Sequence, residues 1–151
     1  YLLDQPLLHL DNRSLQRQAK KLLGENDLKT VTKINHWITA NIAKTGYSEK
    51  ERGALYALHK RGGDCTEFMH LFIAFCRINR IPARGVNGYI VAQDKHLSPE
   101  QLHDWAEAYI DGQWQLVQTF DRETKEYLSD VIPEPEAYYG FGIISRFLSK
   151  Y

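Results

Sequence analysis

A cysteine nucleophile needs a thiol placed where its anion is favoured, a base within reach, and a group that orients the base. Two cysteines are present, Cys65 and Cys76. Cys65 follows Gly62, Gly63 and Asp64 and opens an apolar stretch holding Phe68, Met69, Phe72, Ile73 and Phe75. It therefore falls in the first turn of a predicted helix, whose N-terminal end carries about half a positive charge and favours a thiolate. Asp64 stands as the N-cap of that helix, with Glu67 at the third helical position. Cys76 lies mid-helix beside Phe72 and Phe75 and reads as a core residue. On one helix the two cysteines stand about 16 Å apart, beyond the roughly 4.4–6.8 Å that a disulfide spans. Both are expected to be free thiols.

The base is normally a histidine, and six are available. His36, His59 and His70 lie on or beside predicted helices, and His9 and His96 lie in irregular segments. His103 alone begins a predicted strand, in His-Asp-Trp-Ala-Glu-Ala-Tyr (103–109). That strand, 102–110, and a second, 113–120, flank Asp111-Gly112, a pair that favours a two-residue type I′ hairpin turn. In this register Ile110 opposes Gln113, Tyr109 opposes Trp114 and Trp105 opposes Gln118. His103, Trp105, Gln118 and Phe120 then share one face, with Gln118 diagonal to His103. Asp121 falls on the opposite face unless a bulge intervenes. The residue placed to orient His103 is therefore an amide, Gln118. Trp105, which would shield the site from water, and Asp64 are the candidates for binding substrate. Glu107, on the His103 face, reads as a salt-bridging or sheet-edge residue.

The elements that must carry these residues are legible in outline. Ser14 is a candidate N-cap for a first helix with Leu15, Ala19, Leu22 and Leu23 on its apolar face, ended by Gly24. Asp27 is a candidate cap for a second, with Leu28, Val31, Ile34, Ile38 and Ile42 at helical spacing. Ser48 and Glu51 form a capping-box pattern ahead of Ala54, Leu55 and Leu58. His-Lys-Arg-Gly-Gly (59–63) breaks the chain before the helix over 64–80. A strand over 84–92 follows Pro82, then a polar loop over 93–101, then the hairpin. The tail from Asp121 holds Pro133, Pro135 and an aromatic-glycine stretch, and its apolar end, 143–151, is expected to be a last helix.

Three ordered motifs carry a resemblance: Gly-Asp-Cys-Thr-Glu-Phe (63–68), Arg-Ile-Pro-Ala-Arg-Gly-Val (80–86) and His-Asp-Trp-Ala-Glu-Ala-Tyr-Ile-Asp-Gly-Gln-Trp (103–114). Over roughly residues 25 to 121 the chain resembles the transglutaminase-like superfamily. The resemblance implies a papain-like α+β fold, with N-terminal helices and a Cys-bearing helix packed on a C-terminal antiparallel sheet. It maps the nucleophile to Cys65 and the base to His103. The family pattern places an Asp four residues after the hairpin Trp, and Trp114 plus four is Gln118. An amide still accepts the imidazole N–H but brings no charge to an imidazolium. Two functions follow. One is cysteine-dependent acyl transfer on amide or peptide bonds, as protease, amidase or transglutaminase. The other is a catalytically degenerate binding domain, the extracytoplasmic module of a bacterial membrane protein such as those in which this domain is fused to seven transmembrane helices.

Composition narrows the alternatives. The 151 residues carry 19 Lys+Arg against 19 Asp+Glu, and this balance argues against nucleic-acid binding, which leaves a basic excess. Hydrophobic residues make up 43% and charged residues 25%, the proportions of a folded globular domain. We expect a single domain over 1–151, its motif core at about 25–121 and a C-terminal extension at 122–151. No His/Cys spacing resembles a zinc site and no phosphate-cradling loop is present, so neither metal nor cofactor is expected. Arg77, Arg80 and Arg84 form a small basic cluster read as solvated or paired. Asn12-Arg13-Ser14 is a glycosylation sequon by pattern only. No apolar run approaches the roughly 20 residues of a membrane span. The chain opens with Tyr1, which reads as an excised or processed segment. A periplasmic location, a protein or peptide as substrate or ligand, and attachment to a membrane segment outside this chain are the corresponding expectations.

Overall fold

The computed structural model describes residues 1–90, 102–117 and 143–147. Three helices come first: α1 (Arg13–Lys21), α2 (Asp27–Asn41) and α3 (Gly53–Lys60), with the two-residue strands β1 (Ala43–Lys44) and β2 (Gly62–Gly63) pairing in parallel around α3. Then come α4 (Cys65–Ile78) and the strands β3 (Ala83–Ile90), β4 (Leu102–Ile110), β5 (Gln113–Val117) and β6 (Ile143–Phe147). These four strands form one antiparallel sheet in the order β5-β4-β3-β6.

The sheet and the three N-terminal helices enclose α4. Every residue from Glu67 to Arg77 is buried, with Phe68, Phe72 and Phe75 its largest side chains. One face of the sheet offers α4 only small groups at its centre. Ala83 pairs with Ala108 and Gly85 with Ala106, and Ile110 and Val117 extend that face into the same core. Alanine and glycine leave room for the aromatic residues of α4 to lie close to the strands. Residues of the opposite parity pack on the far face, where Val86, Trp105 and Leu116 form a second, smaller cluster. Arg84 joins them, bonding Glu107 at 2.7 Å and lying 4.1 Å above the Trp114 ring.

The hairpin register is the one the sequence predicts: Tyr109 opposes Trp114 and Ile110 opposes Gln113. Asp111 (φ 51°) and Gly112 (φ 81°) both adopt the positive φ that a type I′ turn demands. The helix ends differ in detail. Asn12, not Ser14, caps α1, its side chain accepting from the amides of Ser14 and Leu15. Asn26, one residue before Asp27, caps α2 by accepting from Lys29 at 2.9 Å. Both are short amides lying just outside the residues that the sequence pattern suggests. The capping box at Ser48 and Glu51 does not form. Its place is taken by a tertiary contact, since the Arg52 amide that opens α3 donates to Glu67 of α4 at 2.9 Å. Leu23 and Leu28, expected on apolar faces, are exposed.

The expected last helix is instead β6, a strand paired with β3 through Asn87–Phe147, Gly88–Arg146 and Ile90–Ile143. A short apolar run suits either structure. Here the open edge of β3 supplies backbone partners that an added helix would leave unpaired. The polar loop at 93–101 and the proline-containing tail at 121–142 lie outside the described residues.

Candidate active site

Cys65 is the first residue of α4 and is half-buried, whereas Cys76, eleven residues on, is fully buried in the core. Neither is in a disulfide. The helix start is fixed by the capping box that the sequence announces. Asp64 Oδ1 accepts from the Thr66 amide at 3.0 Å, and Glu67 Oε2 accepts from the Asp64 amide at 3.2 Å. Asp64 does a second job, its Oδ2 accepting from the Ser48 amide at 3.0 Å. With Thr45 N–H donating to the Gly63 carbonyl at 2.8 Å, this pins the segment 45–48 alongside the Cys65 end of the helix. Tyr47, the most exposed large hydrophobic residue described, projects from that segment.

Glu67 anchors the same corner from below. It is wholly buried and takes the Arg52 guanidinium at 2.7 Å as well as the Arg52 amide. Burial alone would raise its carboxyl. The Arg52 side chain, the Arg52 amide and the Asp64 amide outweigh that and hold it below the usual carboxylate range. Asp64 moves the other way, pushed up first by burial against the pull of its bonds from Ser48 and Thr66.

β4 meets the head of α4 directly after His103. The backbone places His103 on β4 opposite Gly88. On its C-terminal side, Asp104 Oδ2 accepts from the Thr66 hydroxyl at 2.7 Å, and the Asp104 backbone N–H donates toward the Cys65 thiol. The residue after the nucleophile is thus bonded to the residue after the candidate base. Trp105 is buried on the far face of the sheet, against Val86 and Leu116. Gln118 lies outside the described residues, as do His96, Phe120 and Asp121. Glu107 forms the ion pair expected of it, with Arg84.

The electrostatics of Cys65 depart from the expectation of a thiolate favoured by the helix terminus. Burial pushes the thiol up, the Asp104 backbone N–H pulls it down, and the carboxylates of Asp104 and Asp64 push it up further. The Thr66 hydroxyl pulls it down a little, and the balance lies above the ordinary thiol value. Sequence reasoning missed Asp104 and Thr66. Asp104 sits inside a motif read for its His and Trp, and strand alternation assigns it to the face that reads as core. The basic cluster is paired, as its reading allows. Arg77 is buried, donating to the carbonyls of Ala83 and Leu3, and Arg84 is paired with Glu107. Among the described residues no group of three or more His, Cys, Asp or Glu is placed to hold a metal ion.

Residues 16–119 match the model of the transglutaminase-like superfamily core. The chain belongs to the transglutaminase-like superfamily. A crystal structure of a candidate cysteine protease from Cytophaga hutchinsonii superposes with a TM-score of 0.65 at 32% identity, covering 78% of this chain and 40% of that one. The periplasmic domain of TgpA from Pseudomonas aeruginosa, bound to ethylmercury, shares the fold with a TM-score of 0.58 at 22% identity, over 78% of this chain and 46% of that one. An uncharacterized Mycobacterium leprae protein is 33% identical over 58% of this chain and 36% of its own length. This chain thus spans less than half the length of the relatives it matches. Within the superfamily fold, Cys65 occupies the head of the enclosed helix and His103 the strand beside it. Among the described residues no helix is long and apolar enough to cross a membrane.

Proposed function

We propose that this domain is a cysteine-dependent acyl-transfer enzyme acting on amide or peptide bonds, with Cys65 as nucleophile, His103 as general base and acid, and Gln118 orienting His103. The observation that carries the reading is the junction of α4 and β4, where the hydroxyl of Thr66, one residue beyond Cys65, donates to the carboxylate of Asp104, one residue beyond His103, at 2.7 Å. Cys65 Sγ attacks the amide carbonyl as its proton passes to His103, which returns it to the leaving amine. The acyl thioester is released to water, giving hydrolysis, or to a second amine, giving crosslinking. The backbone N–H of Cys65, at the helix start, is an oxyanion donor. Asp64 shapes the substrate cleft through the segment it pins at Ser48, and Trp105 shapes it by packing β4 beneath His103. Likeness to the TgpA periplasmic domain supports an extracytoplasmic setting, the domain being attached to a membrane segment outside this chain, and likeness to the candidate cysteine protease supports a protein or peptide as substrate.

The test is turnover of a panel of peptide and amide substrates, with and without an added primary amine. We expect Cys65→Ala to remove turnover entirely and His103→Ala to lower kcat by about 10²–10⁴. Gln118→Asp, which restores charge beside the imidazole, should raise kcat. Turnover that survives Cys65→Ala sinks the reading. A wild-type protein that turns over nothing in the panel, yet binds peptides through a cleft that Cys65→Trp blocks, establishes the second reading, a degenerate binding domain. What favours that alternative is the pair of carboxylates that disfavour a thiolate at Cys65, together with the uncharged residue at position 118.

A further inference from the structure

β4 reaches the head of α4 through Asp104, with Ala106 and Ala108 further along the same face of the sheet. The packing of those two alanines in the core is apolar and sets no direction, whereas a hydrogen bond does. Asp104 supplies one, its Oδ2 accepting from the Thr66 hydroxyl at 2.7 Å, an ordinary O–H···O length. Asp104 is only 9% exposed, so little water competes for that bond. The Thr66 backbone is itself held, its amide donating to the Asp64 cap at 3.0 Å, so the hydroxyl extends a fixed helix end to the strand. The same hydroxyl also reaches the Cys65 thiol.

His103 has few other anchors along the ladder. It pairs with Gly88, which has no side chain to pack against it. Just beyond, between Gly88 and Ile90, the pairing of β3 with β6 shifts register. Thr66 and Asp104 are each one residue from the chemistry, so their bond ties the backbone beside Cys65 to the backbone beside His103.

We propose that Thr66 and Asp104 are positioning residues whose hydrogen bond clamps β4 to the head of α4 and so sets the spacing between Cys65 and His103. This rests on Cys65 being the nucleophile and His103 its base, and deepens that reading. A misplacement of about 1 Å between reacting groups costs on the order of 10²-fold in rate. A strand end free to drift by that much forfeits most of the effect of the base.

The experiment is the rate of Cys65 alkylation by iodoacetamide at pH 7, read by mass spectrometry without substrate. Wild type, Thr66→Val, Thr66→Ser and His103→Ala are compared, and Thr66→Val is also placed in the His103→Ala and Asp104→Ala backgrounds. Valine keeps the shape of threonine and removes the hydroxyl without changing any charge, and serine restores the hydroxyl. An imidazole held beside a thiol raises its thiolate fraction, so His103→Ala should slow alkylation by about tenfold. Thr66→Val should slow it several-fold, and Thr66→Ser should bring it back to the wild-type rate. In the His103→Ala background Thr66→Val should change nothing further, because the spacing it loosens no longer matters. In the Asp104→Ala background it should also change nothing, because the bond is already gone. Thr66→Val alkylating at the wild-type rate overturns the clamp, and so does Thr66→Ser as slow as Thr66→Val. An equal slowing by Thr66→Val in either background overturns it too, since the hydroxyl then acts on the sulfur directly. Cys76, fully buried, reports folding by staying unlabelled. If it reacts in the valine variant, Thr66→Ala carries the same expectation. His103→Ala alkylating as fast as wild type sinks the pairing of Cys65 with His103 and the enzymatic reading with it, whereas a His103 effect that Thr66→Val leaves intact sinks the clamp alone.

Discussion

Three carboxylates stand within four residues of sequence or one strand of Cys65, and each has a different electrostatic fate. Glu67 is held ionised by Arg52 and backbone donors, Asp64 is raised by burial, and Asp104 spends one oxygen on a neutral hydroxyl. Glu67 is the member whose loss should hurt the fold most. Replacing it with Gln leaves the Arg52 guanidinium facing a neutral amide, and we expect a loss of about 2–4 kcal/mol at pH 7, in the range for breaking a largely buried pair. The pH dependence has a definite sign. A carboxyl whose folded pKa is depressed stabilises above its unfolded pKa, about 4.3, and that contribution disappears as pH falls through the lower folded value. The difference between wild type and Glu67→Gln should therefore shrink as pH drops below about 4. Asp64, raised in the fold, contributes with the opposite sign, so it flattens the acid dependence of wild type. Urea denaturation at pH 7 and pH 3 measures both effects, and a pH-independent difference would contradict the Glu67 assignment.

At the scale of elements, the capping box at α4 explains why glycine precedes Asp64. Gly63 lies with its backbone against the Glu67 side chain, and a Cβ there would collide with Glu67 Cβ. Its φ is not positive, so the constraint is close approach and not backbone handedness. Gly63→Ala must push Glu67 off Arg52 or displace β2, and we expect about 1–3 kcal/mol of destabilisation, typical of overpacking. A lowered urea midpoint with an unchanged m-value would show this. Gly46, around which the added carbon would meet open space, is the control expected to change little on Gly46→Ala. The two elements read most faithfully from sequence, α4 and the β4–β5 hairpin, are those whose signals are local: a cap, an apolar face, an Asp-Gly turn. The two misread, the start of α3 and the strand β6, owe their form to partners far along the chain, Glu67 for one and β3 for the other.

For the whole molecule, stability concentrates in the single helix that everything else wraps. Phe72 sits at the middle of α4, fully buried in the main core. Phe72→Ala should cost about 3–5 kcal/mol, the cavity being bounded on all sides by groups that cannot collapse. Tyr47→Ala, on the exposed segment beside the site, should stay within about 0.5 kcal/mol. Thermal unfolding separates the two. The same architecture leaves Cys65 half-buried at the N-terminal end of α4, so the core fixes its position without covering it.

Residue types and short-range pattern were enough for the free thiols, the cap on the Cys65 helix, the hairpin register and the class of fold, because each depends on neighbours a few residues apart. Spacing of three motifs was enough for the family. The sequence could not place the Thr66–Asp104 bond or the Arg52–Glu67 pair, which join residues 38 and 15 positions apart. A helix terminus is visible in one segment and argues for a thiolate, whereas burial and the carboxylate from β4, which both push the thiol up, exist only once the chain has folded. Local pattern decides the elements whose signals are local, α4 and the β4–β5 hairpin, but not β6. Only the tertiary structure decides which charges share one desolvated corner.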